Sequence, residues 1–329
     1  MPVTVYRSSD ASAPSIGRTT GSIITLLDAC LVNGYGAKAA AGWTKSYSGT
    51  NAAVYRQGGN PQQYLYINDN VFADTAGNNS APGIYGCQTA TSITETDHKG
   101  RFPVLASTHP LIIKPDVPAS NGAWKLFATD RAFYLFVKRD TWSAWSGFFF
   151  GATSSFYHKG SESDLGRNLI IAHDNPAPSS GVVPANTVLS FWNEASLLAL
   201  AGHYFGGDAK GCIDGGIPAS KFFTNATGVA TIGNLSISAY DGFFVRGPVL
   251  SEVYALTGYG AMRSGRAEFR GIVPGMYRAI NYFSHNPQDG VQHVVDSGPF
   301  AGKTVECVLV YGTSGTFYPY FISHSDWPE

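Results

Sequence analysis

Residues 22–32, SIITLLDACLV, carry the clearest helix pattern in this chain, while most other patterned stretches are strand-like. Ile24, Leu27 and Leu31 recur at i, i+3 and i+7, which gives the segment a single apolar face. One short amphipathic helix among many strands must bury that face on a sheet. The pattern therefore predicts a core helix rather than an arm that binds another chain.

The ends of this helix carry recognisable signals. Ser22 or Thr20 could cap its start with a hydroxyl group. Asn33-Gly34 is a suitable end, because both residues tolerate the left-handed conformation of a C-cap. Asp28 falls between the apolar positions, so we expect it to reach solvent or a partner.

Strand-like runs of β-branched and aromatic residues, separated by Gly and Pro, fill much of the remaining chain. They cover 64–67, 124–128, 132–137, 147–152, 168–172, 235–238, 242–245, 268–272, 304–311 and 316–323. Residues 129–131 read as a hairpin loop, and 194–201 as a short helix. The sequence thus predicts a mainly β fold with sandwich-like or barrel-like antiparallel sheets, an N-terminal helix at about 22–32, and few other short helices.

Residues 147–152 contain Phe148-Phe149-Phe150 and are apolar on both faces of the predicted strand. A strand with two apolar faces is typical of a position covered on both sides. We therefore expect it at the centre of the fold.

Residues 174–184, DNPAPSSGVVP, are the best candidate for a linker, because three prolines and two serines favour an extended chain. We expect an N-terminal β-rich domain with the helix over 1–175, a linker over 176–184, and a second β-rich domain over 185–329.

Charged residues make up 14% of the sequence and hydrophobic residues 44%, so neutral polar groups replace much of the usual surface charge. Such groups lose less on desolvation, which suits a surface covered by neighbours. The net charge is −1 with no basic patch, which argues against nucleic-acid binding. No apolar run reaches the length of a membrane span, and the N-terminus lacks a signal-peptide pattern, so we expect synthesis in a cytoplasm.

The four cysteines, Cys30, Cys87, Cys212 and Cys307, are far apart in the sequence. None has a partner at C-x-x-C spacing, so zinc and redox motifs are not indicated. Cys30 lies on the apolar side of the helix, and Cys307 shares a strand face with Val305 and Leu309. Buried free thiols are the favoured interpretation, with a disulfide left open.

No nucleophile elbow, phosphate-binding loop, dinucleotide fingerprint or zinc-protease motif occurs. Gly312-Thr313-Ser314-Gly315 reads as a hairpin turn. The sequence therefore assigns no catalytic, cofactor-binding or metal-binding residues, and no cofactor.

Three polar groups could form sites, but ordinary structure explains each of them better. The sets are Glu95/Asp97/His98 as a metal or acid–base site, Asp69/Asn70/Asp74 as calcium ligands, and His173-Asp174 as an oriented imidazole. A solvated loop fits the first better and a polar turn the second, whose spacing matches no calcium loop. Adjacent strand residues point to opposite faces, which disfavours the third.

Aromatic side chains could serve as sugar platforms or interface anchors, although core packing is the favoured role for each. The candidates are Trp142, Trp145, Tyr318, Tyr320 and Trp327.

Three stretches near the start, TVYRSSDASAP (4–14), LLDACLVNGYGAKAAAGWTK (26–45) and SGTNAAVYRQ (48–57), resemble a family of virion structural proteins in tailed bacteriophages. WKLFATDRAFYLFV (124–137) and AGKTVECVLVYG (301–312) resemble later strands of the same family. The resemblance is good over roughly the first sixty residues and patchy afterwards. It implies a building block of a phage particle and brings no catalytic residues.

The resemblance, together with the low charge, leads us to expect a non-enzymatic virion component from the tail or baseplate region. Its partners would be other copies of itself and other virion proteins, without nucleic acid or membrane. A capsid decoration (cement) protein is the alternative. A receptor protein at the tail tip that binds or cleaves a host-surface glycan is the alternative of another class.

Overall fold

The computed structural model describes fifteen segments of the chain. They are residues 2–17, 19–73, 80–101, 111–112, 122–138, 145–155, 168–172, 189–190, 201–202, 220–224, 250–257, 268–279, 288–295, 298–311 and 317–327.

These residues form a mainly β structure, as the sequence predicts. The one α-helix among them is α1 (Ser22–Leu27), which continues as wider π-type turns over Asp28–Asn33. The strands are β1 (Thr4–Arg7), β2 (Thr44–Gly49), β3 (Ala52–Arg56), β4 (Tyr64–Ala73), β5 (Ser80–Cys87), β6 (Thr89–Ala90), β7 (His98–Lys99), β8 (Leu111–Ile112), β9 (Trp124–Ala128), β10 (Ala132–Lys138), β11 (Trp145–Ala152), β12 (Ser154–Ser155), β13 (Asn168–Ala172), β14 (Leu189–Ser190), β15 (Ala201–Gly202), β16 (Ser220–Thr224), β17 (Leu250–Thr257), β18 (Glu268–Ala279), β19 (Gln292–Val294), β20 (Thr304–Tyr311) and β21 (Phe317–Ser323). Short 3-10 turns cover Glu95–Asp97 and Gly298–Phe300.

The strands form one large sheet, described below as a central and a C-terminal part, together with an outer sheet and a small hairpin. The central sheet runs β1-β9-β10-β11-β13, and the C-terminal sheet runs β19-β20-β21-β18-β17-β16. The parallel pair Trp145–Val310 joins these two, and β12 pairs with β18. The outer sheet is β2-β3-β4-β5-β8, and β6 and β7 form a small hairpin.

Strand β11 lies in the middle of these layers, and the prediction for its three phenylalanines is confirmed. Phe148 and Phe150 pack with α1 and the outer sheet in one apolar core. Phe149 points the other way, into a second core shared with β18, β20 and β21. All three side chains are buried, because alternate residues of the strand enter different layers. The central sheet is therefore covered on both faces.

The predicted helix is confirmed, but its predicted cap is wrong. The N-cap position is Gly21, and no side chain of α1's own first turn caps it. The carboxylate of Asp69, from β4, instead accepts hydrogen bonds from the backbone N–H groups of Gly21 (2.6 Å) and Ile23 (3.3 Å). Burial raises the pKa of Asp69 to about 6, although both hydrogen bonds lower it. The helix ends at Asn33, where Gly34 adopts a positive φ of 75°.

Asp28 meets partners within its own chain. Its carboxylate forms an ion pair with Lys45 of β2 (2.8 Å) and accepts a hydrogen bond from the hydroxyl of Tyr55 on β3 (2.8 Å). The other side of the helix buries Leu27 and Leu31 completely in the core. One face of the helix therefore contacts the outer sheet through Asp28, and the other packs in the core through Leu27 and Leu31.

We expect Leu27→Ala to lower the free energy of unfolding by about 2–5 kcal/mol, the range for truncating a buried leucine. Asp28→Ala should cost less, because its ion pair with Lys45 is partly exposed (24% and 26%) and such pairs contribute up to about 1 kcal/mol. Denaturant unfolding of the isolated chain measures both. A Leu27→Ala variant that keeps its stability yet fails to assemble would make the helix an interface element.

Several other predicted elements are confirmed. The 124–137 hairpin appears as β9 and β10, 168–172 as β13, and the strands predicted over 304–311 and 316–323 as the antiparallel pair β20 and β21. Cys30, Cys87 and Cys307 are free and buried. The predictions for Cys212 and for 174–184, 235–238, 242–245 and 312–315 lie outside the described residues, so the linker and the two-domain division stay predictions. The predicted helix over 194–201 also lies outside them except for its last residue. Ala201 begins strand β15, so the helix prediction is wrong at that position.

Candidate functional site

Among the described residues, the most concentrated set of charges lies where the central sheet meets the C-terminal sheet. We call Arg7, Lys125, Asp289, Glu306 and His324 the Glu306 cluster. Antiparallel pairing of β1 with β9 sets Arg7 directly opposite Lys125. Glu306 shares its β20 face with Val308 and Val310, whose side chains lie in the core next to β9. Strand alternation therefore aims a carboxylate at two cations of the central sheet.

Glu306 is almost fully buried, with 1% of its side chain exposed, and both of its oxygens are used. Oε1 lies 2.7 Å from Nζ of Lys125. Oε2 accepts hydrogen bonds from the guanidinium of Arg7 and from Nε2–H of His324 (2.9 Å). These contacts fix His324 with a proton on Nε2, because an ionised carboxylate can only accept.

The electrostatics of the site hold Glu306 as a carboxylate. Burial on its own raises the pKa of this group. Hydrogen bonds from His324 and Lys125, and the charges of Lys125 and Arg7, outweigh burial and lower the pKa to about 2. The cluster is therefore a buried ionic junction that ties β1 and β9 to the C-terminal hairpin.

Asp289, just before β19, forms the second acidic corner of the cluster. Its Oδ1 accepts hydrogen bonds from the indole N–H of Trp145 (2.7 Å) and from the backbone N–H of Leu309 (3.2 Å). The same oxygen is 4.0 Å from Nζ of Lys125. That ammonium also lies over the Trp145 ring, 4.6 Å from its centroid. Lys125 thus sits between two carboxylates and against an aromatic wall.

This arrangement does not suit a metal ion, because cationic side chains already occupy the carboxylate oxygens. The described residues hold no group of three or more His, Cys, Asp or Glu side chains placed to bind a metal. The cluster holds the Lys125 amino group between two carboxylates. Glu306 accepts its hydrogen bond, and Asp289 is polarised by two N–H donors.

A second polar group lies under the β6–β7 hairpin, on the outer face of the outer sheet. His98 is buried there, and both of its ring nitrogens have partners. Nε2–H donates to the carbonyl of Ser92 (2.9 Å), so Nδ1 accepts the hydroxyl proton of Tyr85. Tyr85 stacks on Tyr66, with centroids 4.7 Å apart. The interpretation of residues 95–98 as a solvated loop is therefore wrong for His98.

The hydroxyl groups of this second site are held protonated. Burial raises the pKa of Tyr85 well above its ordinary value, and burial with the nearby Glu95 carboxylate raises that of Tyr66 to about 12. Burial lowers the pKa of His98. Arg101 stacks over Tyr85 (4.7 Å) and pairs with Glu95 (3.6 Å). These polar contacts hold the β6–β7 hairpin against the outer sheet.

We expect acid to weaken the contacts that His98 forms with Tyr85 and Ser92. Because the folded pKa of His98 lies below its unfolded value of about 6.5, its contribution to stability is present above that value and is lost as the pH falls below it. The free energy of unfolding should therefore drop between pH 7.5 and 5.0 more in the native chain than in a His98→Gln variant. Equal pH dependence in the two chains would contradict the assignment.

Of the residues weighed from sequence, the structure brings few together. Asp69 lies in β4 as the helix cap rather than in a polar turn. Trp145, Tyr320 and Trp327 are buried in the core, which confirms packing as their role. His173, Asp174, Asp74 and Trp142 lie outside the described residues.

Sequence reasoning missed the Glu306 cluster entirely. Its members are spread over 318 positions from Arg7 to His324, and no local motif links them. The one available signal was a lone acidic residue in the apolar run TVECVLVY, because a buried carboxylate requires a cationic partner.

No family model matches this chain, and the comparison with curated proteins gives no match. None of the helices among the described residues has the length and apolarity that a membrane span requires.

Proposed function

We propose that this chain is a non-enzymatic structural component of a tailed-bacteriophage virion, in the tail or baseplate region. It would act by presenting surfaces that fit other copies of itself and other virion proteins. The resemblance of five sequence stretches to virion structural proteins is the starting point of the proposal.

One observation carries the proposal: those five stretches pack against one another. They contribute β1, residues 26–33 of the helical segment, most of β2, all of β3, nearly all of β9–β10, and β20. Strand β1 pairs with β9 along its whole length, and α1 and β3 share a core with β9 and β10. Strand β20 joins them through the contact between Arg7 and Glu306. If this chain shared its fold with virion structural proteins, sequence similarity would be expected in the stretches that pack together in the core.

The use of charge in the described residues also supports a scaffold. The carboxylates of Glu306, Asp69 and Asp28 each form hydrogen bonds or ion pairs within the chain. Such contacts fix the relation between strands, whereas catalytic carboxylates need a face open to substrate. Layered sheets joined by such contacts are suited to repeated assembly.

Quantitative mass spectrometry of purified particles tests the proposal. We expect the chain at a fixed copy number that matches a symmetric ring or its multiple, with antibody labelling on the tail. Labelling on the capsid shell would favour a decoration protein. A chain missing from washed particles, or a purified chain that hydrolyses host polysaccharide, would overturn the proposal.

A further inference from the structure

We propose that Lys125 and Asp289 form an intramolecular isopeptide bond, with Glu306 relaying the protons. The bond would join β9 of the central sheet to the segment preceding β19. It is a covalent modification site, and it does not depend on the proposed function.

The nucleophile is already in place. Nζ of Lys125 lies 4.0 Å from Oδ1 of Asp289 and 2.7 Å from Oε1 of Glu306. Only 11% of the lysine side chain and 21% of the aspartate side chain are exposed. Lys125 lies on β9 and Asp289 in the turn before β19. Two reacting groups held this close by the fold avoid most of the entropy loss of meeting.

Gly290 leaves room on the side of the approach. A Cβ at this position would lie 3.5 Å from Nζ of Lys125. The residue also has a φ of +78°, a conformation that disfavours side chains. The ammonium can therefore shift toward Asp289 without meeting a neighbouring side chain from residue 290.

The carboxyl group of Asp289 is prepared as an electrophile. Trp145 Nε1–H (2.7 Å) and the Leu309 backbone N–H (3.2 Å) both donate to Oδ1. When nitrogen attacks Cγ, negative charge develops on this oxygen, and two fixed donors stabilise it. Oδ2 is then the oxygen that leaves.

The protons and atoms balance without any added reagent. Glu306 takes a proton from the Lys125 ammonium and passes it to Oδ2 of Asp289. The neutral amine attacks Cγ to give a tetrahedral intermediate. Glu306 then takes a second proton from the nitrogen and delivers it to the same oxygen, which departs as water. The nitrogen keeps one hydrogen, and the product is an amide.

The surroundings of the two groups set the pace of the reaction. The Trp145 ring, 4% exposed, covers the lysine nitrogen. Arg7 and His324 oppose protonation of Glu306. The first proton transfer is therefore uphill, and we expect the bond to accumulate slowly after folding.

Intact-mass spectrometry of the full-length chain, followed over days at neutral pH, tests the proposal. We expect the chain to become lighter by one water molecule. Protease digestion should then yield a branched peptide that joins Lys125 to Asp289. An Asp289→Asn variant should lose one ammonia instead and give the same branched peptide, because nitrogen becomes the leaving group.

Three further variants separate this bond from other reactions. Lys125→Arg and Glu306→Gln should keep their full mass. Lys138→Arg is the matched control, because Lys138 also lies over the Trp145 ring, at 5.6 Å; it should still lose water. A Lys125→Arg chain that loses water would point to a cyclic imide at Asp289-Gly290 and overturn the proposal. A native chain that keeps its full mass would overturn it as well.

Discussion

Replacing either Phe149 or Phe150 by alanine should lower the free energy of unfolding by about 3–5 kcal/mol, the range for truncating a buried phenylalanine. The two side chains leave β11 on opposite faces and enter different cores. Phe149 packs on Tyr134 at 4.6 Å, and Phe150 on Trp43 at 5.9 Å. Because the central sheet is covered on both sides, we expect the two variants to lose similar amounts of unfolding free energy.

Denaturant unfolding of the isolated chain measures these losses. Val294→Ala is the control, because 68% of that side chain is exposed, and surface changes of this kind stay within about 0.5 kcal/mol. If Phe149→Ala resembled the control while Phe150→Ala was costly, the C-terminal sheet would not cover the central sheet in solution.

A second large effect is expected at Glu306. The lowering of its pKa from 4.5 to about 2 corresponds to about 3 kcal/mol of stability at neutral pH. Glu306→Gln should remove that amount and leave the buried Lys125 without its main counter-charge. Because the folded pKa is the lower one, the contribution is present above about pH 4.5 and is lost as the pH falls toward 2. The native and variant chains should therefore converge in acid.

Glu95→Gln provides the matched carboxylate control. Its ion pair with Arg101 spans 3.6 Å, with 32% and 30% of the side chains exposed, and such pairs contribute about 0.2–1 kcal/mol. Unfolding free energies at pH 7, 4 and 2.5 would compare the two variants. A Glu306→Gln loss no larger than that of Glu95→Gln, or one that is as large at pH 2.5 as at pH 7, would contradict the assigned network.

The elements that sequence predicted well are those whose signal is local. The helix at 22–33, the β9–β10 hairpin and the two-faced strand β11 each follow from the spacing of neighbouring apolar residues. The burial of Leu27 and Phe149 could be predicted from the apolar faces of their helix and strand, without knowing which elements cover them.

The contacts that sequence missed join distant residues. The helix cap comes from Asp69, 48 positions after Gly21, because β4 happens to pass the helix start. Arg7 meets Glu306 across 299 positions, through the pairing of β1 with β9 and the packing of β20 on β9. The burial of His98 depends on a hairpin folding back over the outer sheet. Such contacts are set by topology, which no local pattern encodes.

The most direct test of the account is the structure of the intact particle, determined by electron cryomicroscopy. We expect this fold at a symmetric position in the tail or baseplate, with each copy burying well over about 800 Å² in total against its neighbours, beyond the size of incidental contacts. A particle in which the chain occurs as an isolated copy with a smaller contact area, or does not occur, would contradict the assignment as a structural component of the virion.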